Sequence, residues 1–179
     1  SEALNQDAIA ELVRLYREVT RLEESDEAVK RAAREELVKL QAGDAENLSI
    51  WKETVELSWR EFEKLYALLD IKFDERLGES AYNDALAPLC AELERRGIAR
   101  ESEGALCIFF PEIPALEGKP AIIRKSDGGF LYATTDLATI NYRVNRWHPD
   151  AIWYVVDAPQ ALHFQQLFVA ADMIGIQCD

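Results

Sequence analysis

The side chains of this chain that suggest chemistry are those of Tyr132, Asp136 and Gln160. A carboxylate such as Asp136 can pair bidentately with a guanidinium, because charge and fork geometry both match. An aromatic ring such as Tyr132 can stack on the guanidinium face or accept a hydrogen bond at its hydroxyl. Gln160 offers an amide donor and an acceptor, which are enough to hold an α-amino or carboxylate group. These residue types favour a cationic, planar ligand.

Each of these residues also has a purely structural interpretation. A tyrosine four residues before an aspartate is more often a core aromatic followed by a helix N-cap, and Asp157 near Pro159 is also typical of a cap. Lys125 is either a phosphate contact or a solvated hairpin lysine. Residue types alone do not decide between a binding site and ordinary packing.

Two strand-to-helix junctions are predicted to position the polar side chains. Residues 127–129 form a hairpin turn because their glycines accept positive φ, residues 130–133 form the return strand, and a helix runs from Thr135 or Asp136 to about residue 146. The apolar residues 152–156 form a buried strand that leads into a helix over residues 159–174. Such junctions are where open α/β sheets bind ligands, and the free N–H groups of the helix start favour phosphate.

The rest of the chain is predicted to be mainly helical, with short strands after it. Apolar residues at three-four spacing predict helices over residues 4–24, 26–40 and 46–69, with Asp26 as an N-cap and a buried apolar face on the third helix. A strand at residues 71–73 and a helix over residues 82–96 follow, and Gly97 ends that helix. Further strands are expected at residues 99–102, 105–110 and 121–124.

Two segments carry a family resemblance. Residues 125–138 read KSDGGFLYATTDLA, and residues 154–164 read YVVDAPQALHF. Both closely resemble the middle of arginyl-tRNA synthetases, class I enzymes that join arginine to its tRNA using ATP. The resemblance continues upstream through LQAGD at residues 40–44, Trp51 and GESAYN at residues 78–83. It covers nearly the whole chain, in the order of the family.

This resemblance implies roles for individual residues. Tyr132 and Asp136 match the pair that holds the guanidinium of arginine, and Gln160 matches the glutamine that reaches the backbone end of the amino acid. His163 falls where class I synthetases commonly place a polar residue near the ribose or adenine of ATP. Pro159 departs from the arginine or glutamine that the family often has there, so a contact by that side chain is absent. The implied partners are arginine, ATP with Mg²⁺, and tRNA.

Two further elements of class I synthetases do not occur in the sequence. The His-x-Gly-His segment is absent, since the only histidines are His148 and His163, and so is the Lys-Met-Ser-Lys type loop. Nucleotidyl transfer depends on placed positive charge. We therefore expect a piece from the middle of the enzyme that is inactive alone, with no catalytic residue of its own. The alternatives are a non-catalytic acidic helical interaction module with a vestigial pocket, and a piece that folds but neither binds nor catalyses.

The predicted fold class is α/β, with a helical insertion and a small mixed sheet joined to the second half of a Rossmann-type nucleotide-binding fold. The expected regions are a helical insertion at residues 1–70, a small α+β region at residues 71–118 and a partial Rossmann-type catalytic region at residues 119–179. A strand at residues 152–156 that is apolar on both faces is typical of the interior of a sheet, with a neighbouring strand on each side, and one of these neighbours is missing here. We therefore expect self-association through an exposed sheet edge, or a swapped element.

Composition limits the possible partners and compartments. The formal net charge of −13 repels polyanions, so the main tRNA-binding face is not expected within this chain. The three cysteines, Cys90, Cys107 and Cys178, have spacings that match neither a disulfide framework nor a metal site. Without a signal peptide or a long apolar run, no membrane association is expected, and the reducing cytoplasm is the predicted location.

Overall fold

A computed structural model describes residues 7–177 of the chain, and these divide into two compact units, with the boundary between Asp74 and Glu75. The first unit consists of three helices that pack against one another. They are α1 (Ala8–Glu23), α2 (Glu27–Gln41) and α3 (Ala45–Leu68). An aspartate precedes each helix and its carboxylate accepts hydrogen bonds from the first-turn N–H groups; these caps are Asp7, Asp26 and Asp44.

The three predicted helices of this unit are confirmed, as is the N-cap role of Asp26, whose carboxylate accepts the Ala28 N–H at 2.8 Å. Gly43, with φ of +85°, provides the left-handed turn that separates α2 from α3. The predicted start of the first helix at Leu4 lies outside the described residues.

The prediction of a buried face on α3 is wrong, because none of its residues is fully buried. Its apolar side chains are partly or largely exposed; examples are Ile50, Phe62 and Leu65. Each of the three helices buries only the stripe of side chains that faces the other two. Without a further layer of secondary structure, large apolar side chains beside that stripe stay partly exposed. The ring of Phe62 instead lies 6.1 Å from that of Trp59 along the helix surface.

The predicted strand at residues 71–73 is also wrong. Asp70 has φ of +53° and the Ile71 N–H donates to the carbonyl of Tyr66, so the chain reverses at the end of α3 rather than extending. Phe73 then packs its ring against Tyr66 at 4.7 Å. A strand requires a partner for its backbone groups, and this segment pairs with no strand of the described chain.

The second unit contains a three-stranded sheet and three helices. The strands are β1 (Ala99–Ser102), β2 (Ala105–Ile108) and β3 (Ala121–Arg124), and the helices are α4 (Asn83–Arg95), α5 (Tyr132–Trp147) and α6 (Ala161–Ile174). Short 3₁₀-helices lie at Glu79–Tyr82, Pro114–Leu116 and Ala158–Gln160. The predicted strands and helices at these places are confirmed, with shifts of one to three residues at several ends.

The sheet is antiparallel throughout, in the order β1-β2-β3, so the prediction of a mixed sheet is wrong. A short connection explains the antiparallel pairing of β1 and β2: Glu103 and Gly104 close a tight hairpin, whereas a parallel pair needs a long crossover. The sheet, α4, α5 and α6 share one core. Its most buried members include Leu93, Leu106, Ile123 and Leu137.

Residues 152–156 do not form the predicted strand. The burial of its residues alternates as in an extended chain: Ile152 and Tyr154 pack on the core, whereas Trp153 and Val155 are 89% and 99% exposed. Its backbone belongs to no sheet ladder of the described chain, because none of the three strands runs alongside it. Strand formation depends on a neighbouring strand, which local sequence does not supply.

The return strand predicted at residues 130–133 reduces to one bridge between Arg124 and Phe130. The turn before it is confirmed: the Lys125 N–H donates to the Gly129 carbonyl at 2.8 Å, and Gly128 has φ of +87°. Helix α5 begins at Tyr132, three residues before the predicted start, because the N–H groups of Thr134 and Thr135 both donate to the Leu131 carbonyl. This earlier start moves Tyr132 from a strand onto a helix.

Candidate functional site

The start of α5 is fixed to the sheet by a buried threonine. The Thr134 hydroxyl donates a hydrogen bond to the Ile123 carbonyl on β3, and Thr134 is fully buried. One turn later, the Thr139 hydroxyl donates to the Thr135 carbonyl at 2.8 Å. The first turns of α5 therefore hold a set position on β3, which fixes where the side chains on their outer face point.

Tyr132 and Asp136 lie on that outer face. They are four residues apart on one helix, a spacing that places side chains on the same side. Tyr132 is 62% exposed, and the Asp136 side chain retains 31% exposure. An exposed ring beside a partly exposed carboxylate leaves both groups open to a ligand.

His163 of α6 meets Asp136 across the site. The imidazole Nε2 lies 2.6 Å from Asp136 Oδ2, and the His163 side chain is only 13% exposed. A carboxylate accepts hydrogen bonds and does not donate them, so Nε2 carries the hydrogen in this contact. One carboxylate oxygen is engaged in this way, and the exposed part of Asp136 remains available.

Aromatic edges surround the imidazole of His163. The Tyr132 ring lies 4.9 Å from it at 76°, and the Phe164 ring lies 5.0 Å away at 72°. Such edge-to-face contacts restrict the orientation of the imidazole. The structure thus brings Tyr132, Asp136 and His163 into one cluster.

Gln160 lies at the N-terminal end of α6, three residues before His163, and is exposed. The segment before it is capped by Asp157, whose carboxylate accepts the Ala158 N–H at 2.8 Å. The structural interpretation of Asp157 as a cap is confirmed. Gln160 is placed at the same helix end as His163, with its amide open to solvent.

Little space lies beneath this cluster. A cavity of about 10 Å³ lies where β3, α5 and α6 pack together, and its lining includes Ile123, Leu137 and His163. Larger grooves of about 620 and 630 Å³ lie elsewhere, one between α4 and α5 and the other beside residues 149–156. The cluster therefore lies beside a small cavity and not around one of these larger grooves.

Lys125 lies in the hairpin that precedes α5, where its Nζ is 3.2 Å from Asp127 Oδ2 and both side chains are exposed. The pKa of Asp127 is lowered, first because its carboxylate accepts the Gly129 N–H at 2.9 Å and then because Lys125 lies beside it. These contacts stabilise the turn and agree with the interpretation of Lys125 as a solvated hairpin lysine.

Within residues 7–177, no group of three or more histidine, cysteine, aspartate or glutamate side chains could hold a metal ion. Cys90 and Cys107 are free and buried, and burial raises the pKa of the Cys90 thiol to about 11, which keeps it protonated. Cys178 lies outside the described residues. No helix in the described part of the chain is both long and apolar enough to cross a membrane.

Two features of the site were not predicted from the sequence. One is the contact between Asp136 and His163, which are 27 residues apart. The signal for it is the polar His163 in the otherwise apolar run Ala161, Leu162 and Phe164 at a helix start. The other is the buried hydroxyl of Thr134, which follows Tyr132 by two residues.

Comparison with known proteins shows which enzymes have similar sequences. The family model described as "tRNA synthetases class I (R), catalytic domain" matches residues 1–179. The arginine–tRNA ligase of Thermobifida fusca is 49% identical over 156 residues, which are 85% of this chain and 27% of that protein. The arginine–tRNA ligase of Pseudomonas putida is 44% identical over 177 residues, which are 96% of this chain and 30% of that protein.

A solved structure shares the fold. The crystal structure of arginyl-tRNA synthetase from Plasmodium falciparum matches with a TM-score of 0.73 and 30% sequence identity, over 85% of this chain and 26% of that one. The chain therefore spans about three tenths or less of the length of the relatives it matches.

Proposed function

This chain belongs to the catalytic-domain family of the class I arginyl-tRNA synthetases, and we propose that within such an enzyme it supplies the arginine-selecting wall of the active site. The observation that carries the proposal is the Tyr132–Asp136 pair on one face of α5, with the carboxylate partly exposed and held by His163. Asp136 would pair with the guanidinium, Tyr132 would stack on it or bond to it, and Gln160 would hold the backbone end of arginine.

Selectivity follows from the charge of Asp136. A ligand without a positive charge would displace water from the carboxylate and offer it no charged partner. Burying an unpaired charge in this way raises the free energy of the complex. Lysine brings a charge but lacks the planar fork of donors that fits a carboxylate. The site is therefore selective by rejecting ligands that leave Asp136 unpaired.

The reaction of the whole enzyme would be ATP-dependent activation of arginine and its transfer to tRNA. ATP, with Mg²⁺, and tRNA are the partners that this activity requires. The acidic surface of this chain, with a net charge of −13, supports contact with tRNA mainly through other parts of the enzyme. A cytoplasmic location agrees with this role.

We further propose that residues 119–179 form the second half of a Rossmann-type fold, after a helical insertion at residues 1–70 and a small α+β region at residues 71–118. The helices α5 and α6 and the extended residues 152–156 between them have the order of a helix-strand-helix unit. In that fold the segment would gain strand neighbours and its polar carboxyl end would lie at the ligand crevice.

Calorimetric titration of the chain with arginine, lysine and citrulline tests the proposed site. Citrulline has nearly the shape of arginine but no charge, so it isolates the contribution of the Asp136 carboxylate. We expect arginine to bind at least about tenfold more tightly than either analogue, because one charged hydrogen bond contributes on this scale. Equal affinity for arginine and citrulline would show that the carboxylate does not select the ligand.

The extended segment at residues 152–156 predicts self-association. Its exposed apolar side chains, Trp153 and Val155, resemble those of an unprotected edge strand. Sedimentation of the chain should show a concentration-dependent dimer that Val155→Lys removes. Val19→Lys, which places the same charge at an exposed apolar position on α1, is the matched control. A monomer at high concentration would contradict the prediction.

A further inference from the structure

The contact between His163 and Asp136 bears on how the arginine wall is built. His163 lies in the first turn of α6 and Asp136 in the second turn of α5, so their hydrogen bond joins the two helices that frame the site. The bond is short, at 2.6 Å between Nε2 and Oδ2, and the imidazole is largely buried. This geometry gives the ring a fixed partner on the protein.

We propose that His163 is a positioning residue for arginine selection: its hydrogen bond to one oxygen of the Asp136 carboxylate fixes the orientation in which the carboxylate meets the guanidinium. The inference depends on the proposed function, since it assigns His163 to the same arginine wall. It also gives the histidine a different role from contact with the nucleotide.

The first reason is the number of bonds that a carboxylate can accept. Two oxygens with two lone pairs each can take one hydrogen bond from His163 and still receive a guanidinium. Without His163 the carboxylate could rotate about its terminal torsion, which is broad for aspartate. A fixed carboxylate binds a planar fork better, because less orientational freedom is lost on binding.

The second reason is that the imidazole itself is held in place. The rings of Tyr132 and Phe164 contact it edge to face at 4.9 and 5.0 Å. Phe164 in turn is buried in the core and lies 5.0 Å from the Tyr154 ring. The orientation of Asp136 is thus connected through His163 to the packed interior, which is how a precise binding site is supported.

The third reason is that the same imidazole contacts the other predicted arginine residue. Tyr132 is exposed and its ring has an aromatic neighbour in His163. One imidazole therefore supports both the ring that would stack on the guanidinium and the carboxylate that would bind it. A residue that only contacted ATP would not need to lie between these two.

Steady-state kinetics of ATP–pyrophosphate exchange in the full-length synthetase that contains this chain test the proposal. His163→Leu removes the donor and keeps the bulk, and His163→Gln keeps an amide donor near the place of Nε2. We expect His163→Leu to raise the arginine KM by about tenfold, the loss of one charge-assisted hydrogen bond, with the ATP KM within about twofold. His163→Gln should recover most of the arginine KM.

A matched control is Gln165→Leu, which makes a similar change at an exposed position on the same helix and should leave both KM values unchanged. Thermal unfolding of each variant shows whether it is folded under the assay conditions. If His163→Leu proves unstable, His163→Gln still tests the role of the donor: both KM values should stay near those of the native enzyme, whereas an increase confined to the ATP KM would assign His163 to the nucleotide.

Two results would overturn the proposal. A rise in the ATP KM that equals or exceeds the rise in the arginine KM would assign His163 to the nucleotide. An unchanged arginine KM in His163→Leu would show that arginine binding by Asp136 does not depend on the hydrogen bond from His163. Asp136→Asn in the same assay separates these failures from a failure of the proposed function, because that variant removes the selecting carboxylate directly and does not depend on His163.

Discussion

Replacing Asp136 by asparagine is expected to raise the arginine KM of the full-length synthetase by about a hundredfold or more, while the ATP KM changes by no more than about twofold. The substitution keeps the size and planarity of the side chain and removes its charge. An amide offers a guanidinium one acceptor oxygen and an NH₂ group that faces other donors, so both the bidentate geometry and the attraction are lost.

The structure makes this substitution informative, because Asp136 has a second partner. His163 Nε2 lies 2.6 Å from one carboxylate oxygen, and asparagine can still accept this hydrogen bond through its carbonyl. The fold of the site is therefore expected to persist while its charge is lost. A loss of arginine binding then reports on recognition rather than on collapse of the site.

ATP–pyrophosphate exchange with arginine or ATP varied in turn measures both KM values. Asp127→Asn is the matched control, since Asp127 is an exposed aspartate in the hairpin before α5 and is expected to affect neither KM. Arginine–citrulline discrimination should also decrease in Asp136→Asn. Equal increases of the arginine and ATP KM would refute the assigned role.

The second large effect is expected in the core. Leu137 follows Asp136 on α5, has 0% exposure and packs in the shared core of the second unit. Leu137→Ala should lower the free energy of unfolding of that unit by about 2–5 kcal/mol, through lost transfer free energy and the cavity left behind. The cavity of about 10 Å³ that already adjoins Leu137 would become larger.

Urea unfolding followed by circular dichroism measures this loss, with separate transitions fitted because the chain has two compact units. Leu162→Ala on α6 is the matched control, since it is the same substitution at a partly exposed position. Its cost should be well below that of Leu137→Ala. Similar losses at the two positions would mean that α5 is not held by this core.

The elements that local sequence determines were predicted correctly. The helices of the first unit begin at aspartates whose carboxylates accept first-turn N–H groups, and Asp26 could be recognised as such a cap before an apolar repeat. Strands β1 and β3 have the predicted ends, because glycines of turns lie on both sides of β1, at Gly97 and Gly104, and another turn glycine, Gly128, follows β3. Capping and turn chemistry act over a few residues, so the sequence carries them.

The errors occurred where structure depends on distant partners. Residues 152–156 have the composition of a buried strand, but an extended chain becomes a strand only beside another strand. Helix α5 begins earlier in the chain than predicted. The hydrogen bond from the Thr134 hydroxyl to the Ile123 carbonyl, which holds the helix start, joins residues 11 apart in sequence, and local sequence does not indicate it. The apolar residues of α3 were expected to be buried, although burial requires a second layer to cover them.

The sequence indicates which residues to consider as a candidate site, but not how the fold brings them together. Tyr132, Asp136 and Gln160 were singled out by residue type and family resemblance, and their roles stay predictions. Neither the residue types nor the family resemblance indicates that Tyr132 and Asp136 share one helix face, because the predicted strand at residues 130–133 includes Tyr132. The contact between α5 and α6 that joins Asp136 to His163 is tertiary, and sequence periodicity does not specify it.

The exposed Trp153 gives the chain a built-in optical reporter. Its indole is 89% exposed and stands on the outer side of the extended segment, opposite the side that packs on the core. Water around an indole shifts its emission to the red, and a strand laid against this segment would exclude that water. The chain has four tryptophans, so the part of the emission that Trp153→Phe removes is the signal of this side chain. That difference would report whether a neighbouring strand covers the segment, without any added label.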